Sequence, residues 1–265
     1  MATEAQQLQL LLAWMSPAFP IGGFAYSHGL EFAIENRQAT DAAALRQWIA
    51  DIIERGSGWN DAVLFARCWA DDPDALNELA LALAGSRERY LETTSLGNAF
   101  LLAAATWAEE QTEHISQTKI VTPAKAGAQE KQGALQPWVP AFAGMTMKGN
   151  SGSSGGQAPS QHFNNRDAAY PVAAGCFCRV ANIKREPALL AYLQGFASTL
   201  ISVAVRLIPL GQTKGLAVLR DLMPIIAATA ARAESATLDD LGSATIGADI
   251  ASIKHETQYS RVFRT

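Results

Sequence analysis

Charge, cysteine and basic runs are all scarce in this chain of 265 residues. Charged residues make up 17% of it and the net charge is -4. These values argue against a nucleic-acid groove and a polybasic membrane surface, since both need clustered Lys and Arg. Three cysteines cannot build a disulfide scaffold. No basic stretch precedes the apolar run at residues 8–15, as a signal peptide requires, so we expect a cytoplasmic protein.

Catalytic signatures are missing as well. The chain has no G-x-S-x-G elbow, and Gly22-Gly23 is not followed by the G-K-[ST] of a phosphate loop. The acidic residues are scattered over amphipathic stretches, where we expect them to be solvated. The residues therefore offer no support for catalysis, and we expect neither a metal nor a cofactor.

Helical periodicity is what the chain has in abundance, while alternating strand-like runs are nearly absent. Asp41 can cap one helix, and Asp72 with Pro73 can begin another. We predict an all-α protein, a single helical bundle of about eight to ten helices formed by one domain, residues 1–265. The expected helices cover residues 6–15, 27–34, 42–55, 61–69, 74–84, 86–107, 187–207, 213–230 and 237–252.

Two stretches invite other interpretations. Residues 115–166 collect Gly, Ser, Pro and Gln around "NSGSSGGQAPSQ", which predicts a disordered, protease-sensitive insertion. Residues 188–205 are long and apolar enough to span a bilayer. Their four polar residues and the absence of a second such run favour a buried helix of a soluble bundle, so we expect no membrane partner.

The motif "SPAFPIGGFAYSHGLE" at residues 16–31 combines helix breakers with polar groups. Pro20, Gly22 and Gly23 predict a structural turn. Phe24 and Tyr26 are expected to anchor the following helix against the bundle. His28 and Glu31, three residues apart, can share a helix face as ligands, as an acid/base pair or in a plain hydrogen bond.

One alternative function is a small metal-binding enzyme that uses His28, Glu31, Cys176 and Cys178. The cysteines form a C-x-C pair within "AAGCFCRV", which is not the C-x2-C spacing of a zinc knuckle. Free cysteines in such apolar surroundings are more often small core residues.

The chain ends in "YSRVFRT", which alternates aromatic and guanidinium groups, residue types that are enriched at interface hot spots. We predict a partner-binding C-terminal tail at residues 253–265. A tail that folds back on its own bundle is an equally open alternative.

Four separated motifs, "SPAFPIGGFAYSHGLE", "YPVAAG", "VRLIPLGQTKG" and "HETQYSRVFRT", together resemble the urease accessory protein UreF family. The resemblance covers residues 7–114 and 167–265. It implies an all-α homodimer without catalytic activity, which binds UreD (also called UreH) and recruits the GTPase UreG. The resemblance further implies that this assembly supports GTP-dependent nickel insertion into apo-urease.

The resemblance also assigns candidate residues. The family's C-terminal segment is associated with UreD, which implies a UreD-binding role for Tyr259, Ser260, Arg261, Phe263 and Arg264. A dimer or UreG-facing surface is expected to include Tyr26, His28, Glu31, Arg206 and Gln212.

The chain departs from the family pattern at two places. Residues 115–166 stand where the family passes almost directly from a helix to "YPVA". Leu216 stands where the family often has glutamine after "LGQTxG", which puts a polar contact at that position in doubt.

Overall fold

The structure is a computed structural model that describes residues 3–118 and 167–264, with side chains described up to residue 106 and from residue 167. Within these ranges the secondary structure is helical, without strands, which confirms the predicted all-α class. Short 3-10 turns lie at Gly23–Ala25 and Leu238–Asp240. The α-helices are α1 Glu4–Trp14, α2 Leu30–Glu35, α3 Ala42–Arg55, α4 Ser57–Arg67, α5 Pro73–Ala82, α6 Arg87–Thr118, α7 Tyr170–Val180, α8 Arg185–Leu207, α9 Gly211–Ser235 and α10 Ile246–His255.

Local chemistry accounts for where several helices begin. The Asp41 carboxylate accepts a hydrogen bond from the Ala44 amide at 2.9 Å and caps α3. Asp72 does the same for the Ala75 amide at the start of α5, where Pro73 takes the first helical position. Such caps satisfy amides that have no partner inside the helix, so both predicted helix starts are confirmed.

The core lies around α8, which packs against α9, α4, α3 and α2. The helices after residue 166 contact those before residue 119 partly through α7, which packs against α6, α4 and α5. Aromatic rings fill the junction: Trp14 meets Phe177 edge-on at 4.7 Å between ring centroids, and Phe100 meets Phe177 at 5.6 Å. Residues before and after 119–166 therefore share one continuous core.

Among the described residues, one helix has the length and composition to cross a membrane. It is α8, with a mean hydropathy of 1.7, and half of the relevant window is buried inside the protein. The packing of α8 against four other helices is that of a central core helix, as the sequence predicted.

The predicted helix at residues 237–252 is wrong over its first half. The Gly242 amide donates to the Asn60 side chain at 2.8 Å, and the Ala244 amide donates to the Arg55 carbonyl at 2.8 Å. These partners on α4 and α3 replace helical hydrogen bonds, so α10 begins only at Ile246. The predicted insertion at 115–166 lies outside the described residues except for 115–118, which continue α6.

The N-terminal motif forms a turn between α1 and α2. Pro20 precedes Gly22, which has a φ of 76° and caps the 3-10 turn that contains Gly23. Tyr26 is buried, but the Phe24 ring is 66% exposed, so the expectation that Phe24 anchors the next helix against the bundle is wrong. The helix expected from Ser27 begins instead at Leu30, since the residues between them have positive φ.

Candidate functional site

The C-terminal tail folds back onto the turn and α2. Glu31 on α2 accepts hydrogen bonds from the amides of Val262 and Phe263, at 2.7 and 2.9 Å. Farther along, the Arg264 amide donates to the Ala25 carbonyl at 2.8 Å. A carboxylate that accepts main-chain amides fixes the backbone of the segment it holds. The chain end is therefore docked on the N-terminal motif.

His255 joins this contact to α6. Its Nε2 lies 3.0 Å from Glu31, and its Nδ1 lies 2.8 Å from Glu88. Glu88 also accepts from Arg261 at 3.0 Å. All three acid and imidazole side chains are buried. We call this arrangement the tail cluster: Glu31, Glu88, His255, Arg261 and the amides of Val262 and Phe263.

The tail cluster shifts the pKa of His255. Burial alone lowers that pKa, but hydrogen bonds and charge from Glu88 and Glu31 outweigh burial and raise it above its ordinary value. Only the imidazolium form can donate from both ring nitrogens, as the two carboxylates require. The cluster thus favours a charged His255.

The tail buries one side and exposes the other. Phe263 is buried, and the guanidinium of Arg206 lies over its ring at 4.5 Å from the centroid. Tyr259 is fully exposed and Val262 is 72% exposed. Ser260 and the side chain of Arg264 also face solvent. The tail therefore presents an aromatic and an aliphatic side chain outward from a fixed backbone.

A second group of buried polar residues lies behind the N-terminal motif. Arg89 on α6 donates to Glu92 at 2.6 Å and to the His28 Nδ1 at 2.8 Å. It also lies 3.5 Å from Asp61 on α4. The other ring nitrogen of His28 is 2.5 Å from the Ser57 hydroxyl. We call this group the buried network: His28, Asp61, Arg89 and Glu92.

The buried network moves the pKa values of its two acids in opposite directions. Burial raises the pKa of Glu92, but the charge and the hydrogen bond of Arg89 beside it outweigh burial and lower that pKa to about 2. Burial raises the pKa of Asp61, and the more distant Arg89 offsets only part of the rise. Arg89 is thus paired mainly with Glu92.

Two cavities meet at this network. One of about 170 Å³ is lined by His28, Ser57 and Asp249, among others. The other, of about 80 Å³, lies under Phe24 and Ile21. Asp61, Arg89 and Thr93 line both. These polar residues have partners in the protein and form a wall between the cavities.

The structure does not assemble the alternative metal site. His28 belongs to the buried network and Glu31 to the tail cluster, while Cys176 and Cys178 are buried on α7. Burial raises the pKa of the Cys178 thiol, which disfavours the thiolate that binds metals. Within residues 3–118 and 167–264, no group of three His, Cys, Asp or Glu side chains could hold a metal ion.

Comparison with known proteins places the chain. The UreF family model matches residues 39–223. The chain belongs to the UreF family. It is 42% identical to the urease accessory protein UreF of Rhizobium etli over 99% of this chain and 98% of that protein. It is 38% identical to the urease accessory protein UreF 1 of Brucella canis, over 96% and 92%. UreF proteins are accessory factors in urease maturation rather than enzymes.

The expected partner-facing residues of this UreF protein occupy two environments. Arg206 and Gln212 are exposed near the α8–α9 corner, where Arg206 also donates to the Phe24 carbonyl at 2.9 Å. Tyr26, His28 and Glu31 are buried in the isolated chain. These three side chains therefore pack inside the protein and support the N-terminal motif, whose surface other residues form.

Sequence reasoning missed Glu88, Arg89, Glu92 and Asp61. The expectation that the acidic residues are solvated is wrong for these three acids and for Glu31, which are buried or nearly so. One signal was available: Glu88 and Glu92 are four residues apart and share a helix face. His255 stood in the closing motif, but its partners lie 167 and 224 residues away.

Proposed function

We propose that this UreF protein is a cytoplasmic, homodimeric scaffold for urease maturation. It binds UreD, and together they recruit the GTPase UreG for GTP-dependent nickel insertion into apo-urease. The observation that carries the proposal is the docked tail, whose backbone is held by Glu31 while Tyr259 and Val262 face solvent. A fixed backbone lowers the entropy cost of binding, and an exposed tyrosine is a typical interface anchor.

The outer face of α10 extends the surface that we assign to UreD. Ile246, Ile250 and Ile253 are 70%, 49% and 48% exposed and follow one another at helical spacing. This apolar stripe leads along the chain into the tail with Tyr259 and Val262. Exposed apolar side chains arranged in this way are characteristic of protein interaction surfaces.

Co-purification with UreD tests the assignment. A Tyr259→Ala/Val262→Ala variant removes the outward side chains and keeps Phe263, so we expect binding to fall by at least about tenfold, as for removal of hot-spot side chains. Leu102→Ala on α6 is the matched control, since Leu102 is also exposed, at 70%, and far along the chain from the tail. Unchanged UreD binding by the double variant would refute the assigned surface.

We assign the UreG-facing or dimer surface to the α8–α9 corner, with Arg206 and Gln212, beside the exposed Phe24. The hydrogen bond from Arg206 to the Phe24 carbonyl ties the corner to the N-terminal motif. Leu216 is 68% exposed on the first turns of α9. Light scattering of Gln212→Ala measures dimer formation, and capture of UreG with UreD present measures recruitment. Loss of the dimer would assign the corner to the dimer interface, and loss of UreG binding alone would assign it to UreG. If neither changes, the corner serves neither partner.

A further inference from the structure

The C-terminal segment, residues 246–264, has little apolar surface holding it to the body. Only Ala251, Ser252 and His255 of α10 are buried, and the tail adds Phe263. Burial of a single aromatic ring stabilises the attachment only modestly. Polar contacts therefore carry much of the attachment.

Those polar contacts converge on His255. It is completely buried, and each ring nitrogen faces a carboxylate at 3.0 Å or less. A neutral imidazole has one N–H and one lone pair. Loss of the proton would therefore turn a lone pair toward one carboxylate and remove its hydrogen bond, which is costly for a buried group.

The charges around His255 balance only when it is protonated. α10 packs on α2 and α6, from which Glu31 and Glu88 face the ring. In the tail, Arg261 donates to Glu88. On α10 itself, Lys254 is exposed to solvent. Two carboxylates thus meet two cations, and a neutral His255 leaves one buried negative charge without a counter-charge, although Glu31 keeps the amide hydrogen bonds of Val262 and Phe263.

We propose that the C-terminal segment is a pH-dependent latch, which protonated His255 holds on α2 and α6 and which opens when that proton passes to solvent. The pKa of His255 is raised above 6.5 in the closed state. A raised pKa means that the stabilisation is complete below about 6.5 and is lost as the pH rises through the higher value. The latch is a property of the isolated chain, whereas its control of UreD binding rests on the proposed function.

Hydrogen exchange of the full chain without partners tests the latch. Protection of the amides in residues 246–264 is measured from about pH 6 to about pH 9 and divided by the exchange of the denatured chain at each pH. We expect protection to fall by up to about tenfold per pH unit within the window between the two pKa values. Amides in the core helix α8 report on global stability, and their protection should stay constant over the same pH range. Constant protection of the segment would overturn the proposal without any variant.

Variants assign the effect to His255. His255→Gln should lose protection of the segment at every pH and show no pH dependence. Glu88→Gln should flatten the profile, because a neutral imidazole can donate to Glu31 and accept from the glutamine amide. Lys254→Gln, which removes the neighbouring exposed charge, should keep the wild-type profile. A pH dependence that persists in His255→Gln would overturn the proposal. UreD capture at one pH near 6.5, where the latch is closed, tests the proposed UreD binding separately.

Discussion

At the scale of single residues, Gly29 sets how closely α10 approaches the N-terminal motif. Its φ is 76°, and a Cβ atom at this position would lie 2.6 Å from the Ser252 nitrogen, which is main chain and cannot move aside alone. Gly22 has the same φ of 76° but open space around it. The two glycines thus separate the cost of backbone conformation from the cost of contact.

We expect Gly22→Ala to lower the free energy of unfolding by about 1 kcal/mol, since it strains only φ. Gly29→Ala should cost more and should also expose α10 to hydrogen exchange, because the helix has to shift. Urea denaturation with exchange of α10 amides measures both effects. Equal costs for the two variants would show that the contact with Ser252 does not matter.

Residue roles were only partly predictable. The role of Gly22 followed from local chemistry, because glycine readily adopts the positive φ that this position has. The partners of Glu31 did not, since they lie 224 to 232 residues away and no local pattern encodes them. The spacing of three residues between His28 and Glu31 suggested a pair. The fold instead directs His28 into the buried network and Glu31 into the tail cluster.

At the scale of helices, capping decided which boundaries could be predicted. The starts of α3 and α5 followed from Asp41, Asp72 and Pro73 because those residues act within one turn. The start of α10 did not, because Asn60 and the Arg55 carbonyl end the preceding stretch from elsewhere in the chain. Long-range hydrogen bonds overrode the helical pattern there.

Removal of the α5 cap gives a local test. Asp72→Ala leaves the Ala75 amide without its acceptor and should lower the free energy of unfolding by about 1 kcal/mol. Asp72→Asn retains a capping oxygen and should remain within a few tenths of wild type. Chemical denaturation compares the two, and an alanine variant as stable as the asparagine variant would argue against the cap.

At the scale of the whole molecule, the buried network links stability to acid. The pKa of Glu92 is about 2, below its ordinary 4.5. A depressed carboxyl pKa means that the stabilisation is complete above about 4.5 and is lost as the pH falls toward 2. The network therefore contributes at neutral pH and fails in acid.

Glu92→Gln tests that contribution. We expect it to lower the free energy of unfolding at neutral pH by roughly 2–4 kcal/mol and to flatten the loss of stability below about pH 4.5, since Gln cannot titrate. Glu35→Gln, at an exposed position on α2, should keep the wild-type pH profile. The same acid profile in Glu92→Gln and wild type would assign the acid sensitivity to other groups.

The contact between Glu31 and Phe263 spans 232 residues and has a consequence for biosynthesis. Ribosomes make the chain from its N-terminus, so the carboxylate of Glu31 emerges long before the amides that it binds. Contacts this distant in sequence form late in folding. Synthesis must therefore reach residue 263 before Glu31 gains its partners in the tail. A chain cut short before His255 would leave two buried acids, Glu31 and Glu88, without His255, Arg261 and the tail amides.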